Sequence, residues 1–99
     1  MRIRIKNFIN GETAISYEAG KECLKEILKE LDQGNDIILD FLDVEYVITA
    51  FLNPIIGDLI LLKGQDIMKM IKIENANKNT IDKIKLVKDG ALLKREDLE

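Results

Sequence analysis

Few side chains in this 99-residue chain are of types that do chemistry, and their spacing narrows what that chemistry is. Asp40, Asp43 and Glu45 bring three carboxylates close together, the donor type a hard cation takes. No glycine-bearing ligand loop accompanies them, so the spacing predicts no metal site. Thr49 offers a hydroxyl a little further on. It reads first as a helix cap or turn residue; as a phosphoacceptor it would bring about −1.5 to −2 charges to the start of a helix. Cys23 is the one cysteine, which excludes an intrachain disulfide and a thiolate metal cluster. It falls on an apolar helix stripe with no basic neighbour to activate it, so it reads as core. Histidine is absent, and with it the commonest general base and metal ligand. No Gly-rich phosphate loop occurs. The inventory predicts a binding protein without cofactor rather than an enzyme.

The elements that must position these residues centre on the stretch from Asp36 to Lys63, DIILDFLDVEYVITAFLNPIIGDLILLK. Ile37, Ile38 and Leu39 run too continuously for a half-exposed strand, so Asp36 to Phe41 reads as a central strand covered on both faces. A polar step with Asp43 and Glu45 follows, then a second helix. Its start has two readings. Thr49 caps it with Ala50 first, or Asn53 caps it with Pro54 at N1, where the missing amide costs little. Propensity favours the later start. The helix is apolar most of the way round, with Ile55, Ile56, Leu59, Ile60, Leu61 and Leu62, and Asp58 is its only acidic residue. One flank is therefore expected to face a partner.

Around this centre, Arg2 to Ile9 alternates like an edge strand with one wet side. Asn10-Gly11 predicts a type I′ hairpin turn, with Glu12 to Ile15 as the return strand. Ser16 caps a first helix from Tyr17 to Gln33, with Cys23, Leu24, Ile27, Leu28 and Leu31 on one stripe, and Gly34 stops it. Asp66 to Ala76 predicts a further strand. A third helix starts at Asn77 or Asn79 and carries Ile81, Ile84, Val87 and Ala91 on one side; Gly90 ends or interrupts it, and residues 94–99 read as a frayed tail.

The order β-β-α-β-α-β-α predicts a single α/β domain over residues 1–99, a mixed sheet of about four strands with three main helices against it. Apolar residues at 46% and charged residues at 33% are ordinary globular composition. The net charge of −3, with Lys and Arg dispersed, argues against nucleic acid and anionic membranes as partners. No apolar run reaches the roughly 18 residues of a membrane span, and the charged start lacks a signal-peptide core, so a cytoplasmic location is expected.

Three segments carry a family resemblance. Leu39-Asp40-Phe41, Val44, Tyr46-Val47 and Phe51 follow a pattern of the form LDFxxVxFISSSFADEL. Ile15-Ser16-Tyr17-Glu18-Ala19-Gly20-Lys21 resembles the same family's first-helix start, and Ile71-Lys72-Ile73-Glu74-Asn75-Ala76 its strand ending in Asn-Ala. The chain resembles the STAS-like family of unknown function, related to the STAS domains of anti-sigma factor antagonists. The resemblance implies a STAS-like fold and a non-enzymatic regulatory role, binding a protein such as an ATPase of the histidine-kinase fold. The implied contact region is the loop and second-helix start, about residues 43–60, and we assign to it Asp43, Glu45, Thr49, Ala50, Leu52, Asn53 and Asp58. In the antagonists a serine on this loop is phosphorylated. Ala50 occupies that position here, so the usual switch is absent and Thr49 is the remaining phosphoacceptor candidate. Ile48 and Asn53-Pro54 also depart from the family pattern. Asp40, Ser16, Gly34 and Pro54 are assigned structural roles. Two rival expectations are a sensor of nucleotides or lipids and a scaffold that dimerises through its apolar helix.

Overall fold

The computed structural model describes residues 1–9, 11, 13–14 and 16–98. In chain order these form β1 (Arg2–Arg4), a 3-10 turn (Ile5–Phe8), β2 (Thr13–Ala14), α1 (Tyr17–Asp32), β3 (Ile37–Asp40) and β4 (Tyr46–Val47). There follow α2 (Thr49–Leu52), a π-helical segment (Asn53–Asp58), α3 (Leu59–Lys63), a 3-10 helix (Gln65–Met70), β5 (Ile71–Glu74) and α4 (Lys78–Leu98). Strands β1, β3 and β5 make a parallel sheet in the order β1-β3-β5, and β2 pairs with β4, also in parallel.

The sheet has one apolar and one polar face. Ile3, Leu39 and Ile73 share a row, with Ile3 and Leu39 buried beneath the helices. Arg2, Ile38 and Lys72, then Arg4, Asp40 and Glu74, form rows on the opposite face. Ile38 is only half-buried, so β3 is not enclosed on both sides as its apolar run predicts. Three hydrophobics in a row came from one inward-facing pair and one outward residue.

α1 begins and ends as its sequence predicts. Ser16 Oγ accepts from the Ala19 amide at 3.1 Å. At the other end Gly34 takes φ 84°, its amide donates to Leu31, and the Asn35 amide donates to Glu30, which closes the orphan carbonyls in a Schellman arrangement. The third helix is capped at the earlier of its two predicted starts. Asn77 Oδ1 accepts from the Thr80 amide at 2.8 Å. Gly90 does not break it, and its backbone stays helical through Leu98, into the predicted tail.

The second helix departs from expectation. Residues 49–63 are helical throughout, with Ile48 at the cap position and no side-chain cap, so neither Thr49 nor Asn53 caps and Pro54 lies inside rather than at N1. An internal proline removes a donor and crowds the carbonyl four residues back. The π-helical turn over Asn53–Asp58 widens the coil there, which makes room for the proline ring inside the helix. Burial supplies the reason propensity loses. Phe51, Leu52, Ile55, Ile56, Leu59 and Ile60 are all 0% exposed, each worth about 1.5–3 kcal/mol when fully buried. This rod packs between α1 and α4, so it is apolar all round because it is the core helix. The expected partner-facing flank reduces to Thr49, Asn53, Leu62 and Lys63, with Ala50, Asp58 and Leu61 partly exposed beside them.

Two strand expectations also change. Gly11 has φ 75°, but among the described residues β2 pairs with β4 rather than folding back on β1, so the hairpin does not form. Asn10, Glu12 and Ile15 lie outside the described residues. The strand expected over Asp66 to Ala76 is limited to Ile71–Glu74, its first part being the 3-10 helix.

Candidate functional site

β3 ends at Asp40 and hands over to a loop that crosses to β4. The chain reverses at once: the Val44 amide donates to the Phe41 carbonyl at 3.0 Å, with Asp43 at φ 63° in the third turn position. That geometry suits glycine, and aspartate is among the few other residues that tolerate it.

Side chains from four other places hold this loop. Asp40, 3% exposed, accepts from the Leu42 amide at 3.0 Å, from Asn75 Nδ2 at 2.8 Å and from Arg2 Nη1 at 2.9 Å. Arg2 also reaches Glu74 at 2.8 Å, so one guanidinium spans all three strands. The Asn75 amide foremost, then the Leu42 amide and Arg2, hold the Asp40 carboxyl below its usual 3.8 despite its burial. Arg2 likewise lowers Glu74, and Glu74 with Asp40 raises Arg2. Further along, Lys6 Nζ donates to the Asp43 carbonyl at 3.4 Å, Asn77 Nδ2 to the Glu45 carbonyl at 2.9 Å, and Lys83 Nζ to the Val47 carbonyl at 2.6 Å. The same Lys83 ammonium sits 4.1 Å from the centre of the Tyr46 ring, a cation–π contact that fixes the ring.

The backbone is thus restrained and Val44 is buried in the core, while the side chains on either side of it point to solvent. Leu42 is 50% and Tyr46 48% exposed, and Asp43 and Glu45 are exposed beside them without an ion pair among the described residues. A fixed loop with two large apolar groups and two carboxylates is suited to binding, since little freedom remains to be lost on association. Thr49 and Asn53 lie elsewhere, in a groove of about 550 Å³ between the 49–63 rod and α4. Tyr17, Asp58 and Lys94 line it with them, over Gly57 and Ala91.

The seven residues expected to contact a partner therefore separate. Asp43 and Glu45 belong to the loop; Thr49, Asn53 and Asp58 belong to the groove; Ala50 is half-buried between them. Leu52 is buried in the core and cannot touch a partner in this fold. Asp40 is structural in its geometry, tying the loop to two strands. Missed from sequence were Leu42 and Tyr46, and the residues that restrain them: Arg2, Lys6, Asn75, Asn77 and Lys83. Leu42 and Tyr46 did leave a signal, as bulky apolar residues within a polar step. Among the described residues no cluster of His, Cys, Asp or Glu is placed to hold a metal ion, and no helix is long and apolar enough to cross a membrane. Cys23 is fully buried, and burial pushes its thiol up to about 12.

A family model, the STAS-like domain of unknown function (DUF4325), matches residues 19–80. The chain is a STAS-like domain. The match runs from the first turn of α1 through the Asp40 loop and the core helix to the start of α4, more than half of the chain. No curated protein and no solved structure matches it. For this STAS-like domain, the α/β architecture and the family agree, and the function rests on the site itself.

Proposed function

We propose that this STAS-like domain is a non-enzymatic regulatory module that binds a partner protein through the loop from Leu42 to Tyr46. The observation that carries this reading is the combination just described: loop backbone groups held by Asp40, Asn77 and Lys6, and the Val47 carbonyl and Tyr46 ring at the loop's end held by Lys83, with Leu42, Asp43, Glu45 and Tyr46 exposed to solvent. Aromatic and aliphatic anchors on a rigid support are the usual energetic centre of an interface, and the two carboxylates favour a basic rim on the partner. An ATPase of the histidine-kinase fold is the proposed partner class, because the anti-sigma factor antagonists that the family resembles bind one.

The test is purification of the tagged chain from its native host. One protein is expected in stoichiometric amount, lost on Leu42→Asp and on Tyr46→Ala while the melting temperature stays within a few degrees of the parent. Recovery of chaperone and ribosomal background alone, or a partner indifferent to both substitutions, refutes the reading. The partner's own sequence decides whether it is an ATPase.

The groove beside Thr49 favours a second reading, a small-ligand sensor. Its polar walls and apolar floor suit a nucleotide-sized molecule. A thermal-shift panel of nucleotides should then raise the melting temperature with ligand concentration. A flat response removes it.

A further inference from the structure

β5 is an edge strand, and its outer side is bare. Along a strand, successive residues point their main-chain groups to opposite neighbours. The Phe41 amide donates to the Glu74 carbonyl at 2.9 Å, so Glu74 and, two residues back, Lys72 face β3. Ile71 and Ile73 face outward. The Ile71 amide is taken by the Met68 carbonyl of the preceding 3-10 helix. For the amide and carbonyl of Ile73 no partner is found among the described residues. Beside this edge runs a groove of about 440 Å³, with Met68, Ile71 and Ile73 on one side and Ile81 and Ile84 of α4 on the other. Ile81 is 39% exposed. An open edge with an apolar groove alongside is where a further strand adds.

We propose that this edge joins two copies of the chain, β5 against β5 in antiparallel pairing about a two-fold axis through Ile73. The sequence Lys72-Ile73-Glu74 is self-complementary in that register. Ile73 lies opposite Ile73 of the second copy, and the two residues exchange both main-chain hydrogen bonds with the groups left free. Lys72 then falls opposite Glu74 of the second copy, in the non-hydrogen-bonded position where side chains are closest, about 4.5 Å between Cα atoms. Symmetry makes two such ion pairs on the polar face. On the apolar face the two Ile73 side chains cover each other's groove. A foreign strand would need the reversed charge order by chance; the chain itself supplies it. Lys85 and Lys88 line the same groove and oppose close approach of the two α4 helices. With a four-residue strand at its centre, the interface falls at the small end of the range, and the dimer is weak.

Sedimentation velocity on the whole chain, from about 10 µM to about 1 mM, tests this. The mass is expected to rise from the 11.3 kDa monomer toward the dimer across that range. A monomer throughout overturns the proposal. Lys72→Glu sets like charges across the axis and is expected to weaken association at least tenfold, as is Glu74→Lys. An equimolar mixture of the two variants restores both ion pairs, and a heterodimer should appear where neither variant self-associates. Lys72 is 72% exposed and its 3.5 Å pair with Glu74 of its own chain is a surface contact, so its substitution should leave the fold intact. Glu74 also holds Arg2 at 2.8 Å, so circular dichroism and a melt of both variants are the check that each is folded before association is compared. Dimers that survive both substitutions unchanged, or a mixture no stronger than its components, place the contact elsewhere and overturn the assignment.

Discussion

Replacing Gly20 by alanine tests the central packing of this fold most sharply, because propensity and packing pull in opposite directions there. Gly20 lies in α1 where that helix crosses the rod of residues 49–63. A Cβ at this position would collide with the backbone oxygen of Phe51 and stand 3.0 Å from Pro54 Cγ. In an exposed helix interior, glycine to alanine stabilises by up to about 1 kcal/mol. Here the obstacle is a main-chain carbonyl in a fully buried turn, which cannot swing aside as a side-chain tip would. The two helices must separate, at an overpacking cost of about 1–3 kcal/mol or more. The net expectation is a loss of about 1–2 kcal/mol, or a melting temperature lower by roughly 5–15 °C for a domain this size. Gly90 in α4 supplies the control. A Cβ there meets nothing within 4 Å, so Gly90→Ala should gain up to about 1 kcal/mol. Thermal and urea melts of both variants decide it. Gly20→Ala melting at or above the parent would show that α1 and the rod are not in such close contact.

Leu42→Asp and Leu52→Asp should separate surface from core: the first leaves the urea midpoint nearly unchanged, while the second, placing a carboxylate at a 0% exposed site, prevents folding by circular dichroism. Asp40→Ala strands the Asn75 and Leu42 donors and should cost about 1–3 kcal/mol in urea titration at neutral pH. Because the folded carboxyl titrates below 3.8, its contribution is complete above that value and is lost as pH falls through the folded pKa. The parent should therefore lose its advantage over Asp40→Ala in acid. Cys23 should react with a thiol reagent at mildly alkaline pH only after unfolding in urea, since its native thiol stays protonated until about 12; a rapid native reaction would place it outside the core.

What sequence revealed about this fold was mostly local. Ser16, Gly34 and Asn77 act within a few residues of themselves, so their caps were readable from residue type alone. Gly11 shows the limit of that method: its positive φ marks a turn, but nothing local says that the strand after it pairs with β4. Pro54 misleads for a similar reason, since the burial that overrules its helix-breaking tendency comes from α1 and α4. Leu52 was misplaced because Pro54 favours a later helix start, which leaves Leu52 in the contact loop instead of inside the buried helix. The site divides in the same way. Asp43 and Glu45 were visible as a polar step after the central strand, whereas Asn77 at the cap of α4 and Lys83 within it reach the Glu45 and Val47 carbonyls from far along the chain and left no pattern near them.

The parallel sheet has a consequence for the order in which the chain acquires its shape. No strand of it pairs with its neighbour in sequence: Ile3 meets Leu39, and Leu39 meets Ile73. Each pairing closes a long loop before any hydrogen bond compensates the lost chain entropy. The capped helix α1 lies inside the first of those loops and shortens it only once formed. Until β3 has been made, β1 lacks the strand it pairs with in the fold, and the exposed charges of Arg2 and Arg4 on either side of Ile3 oppose its pairing with other chains in that interval.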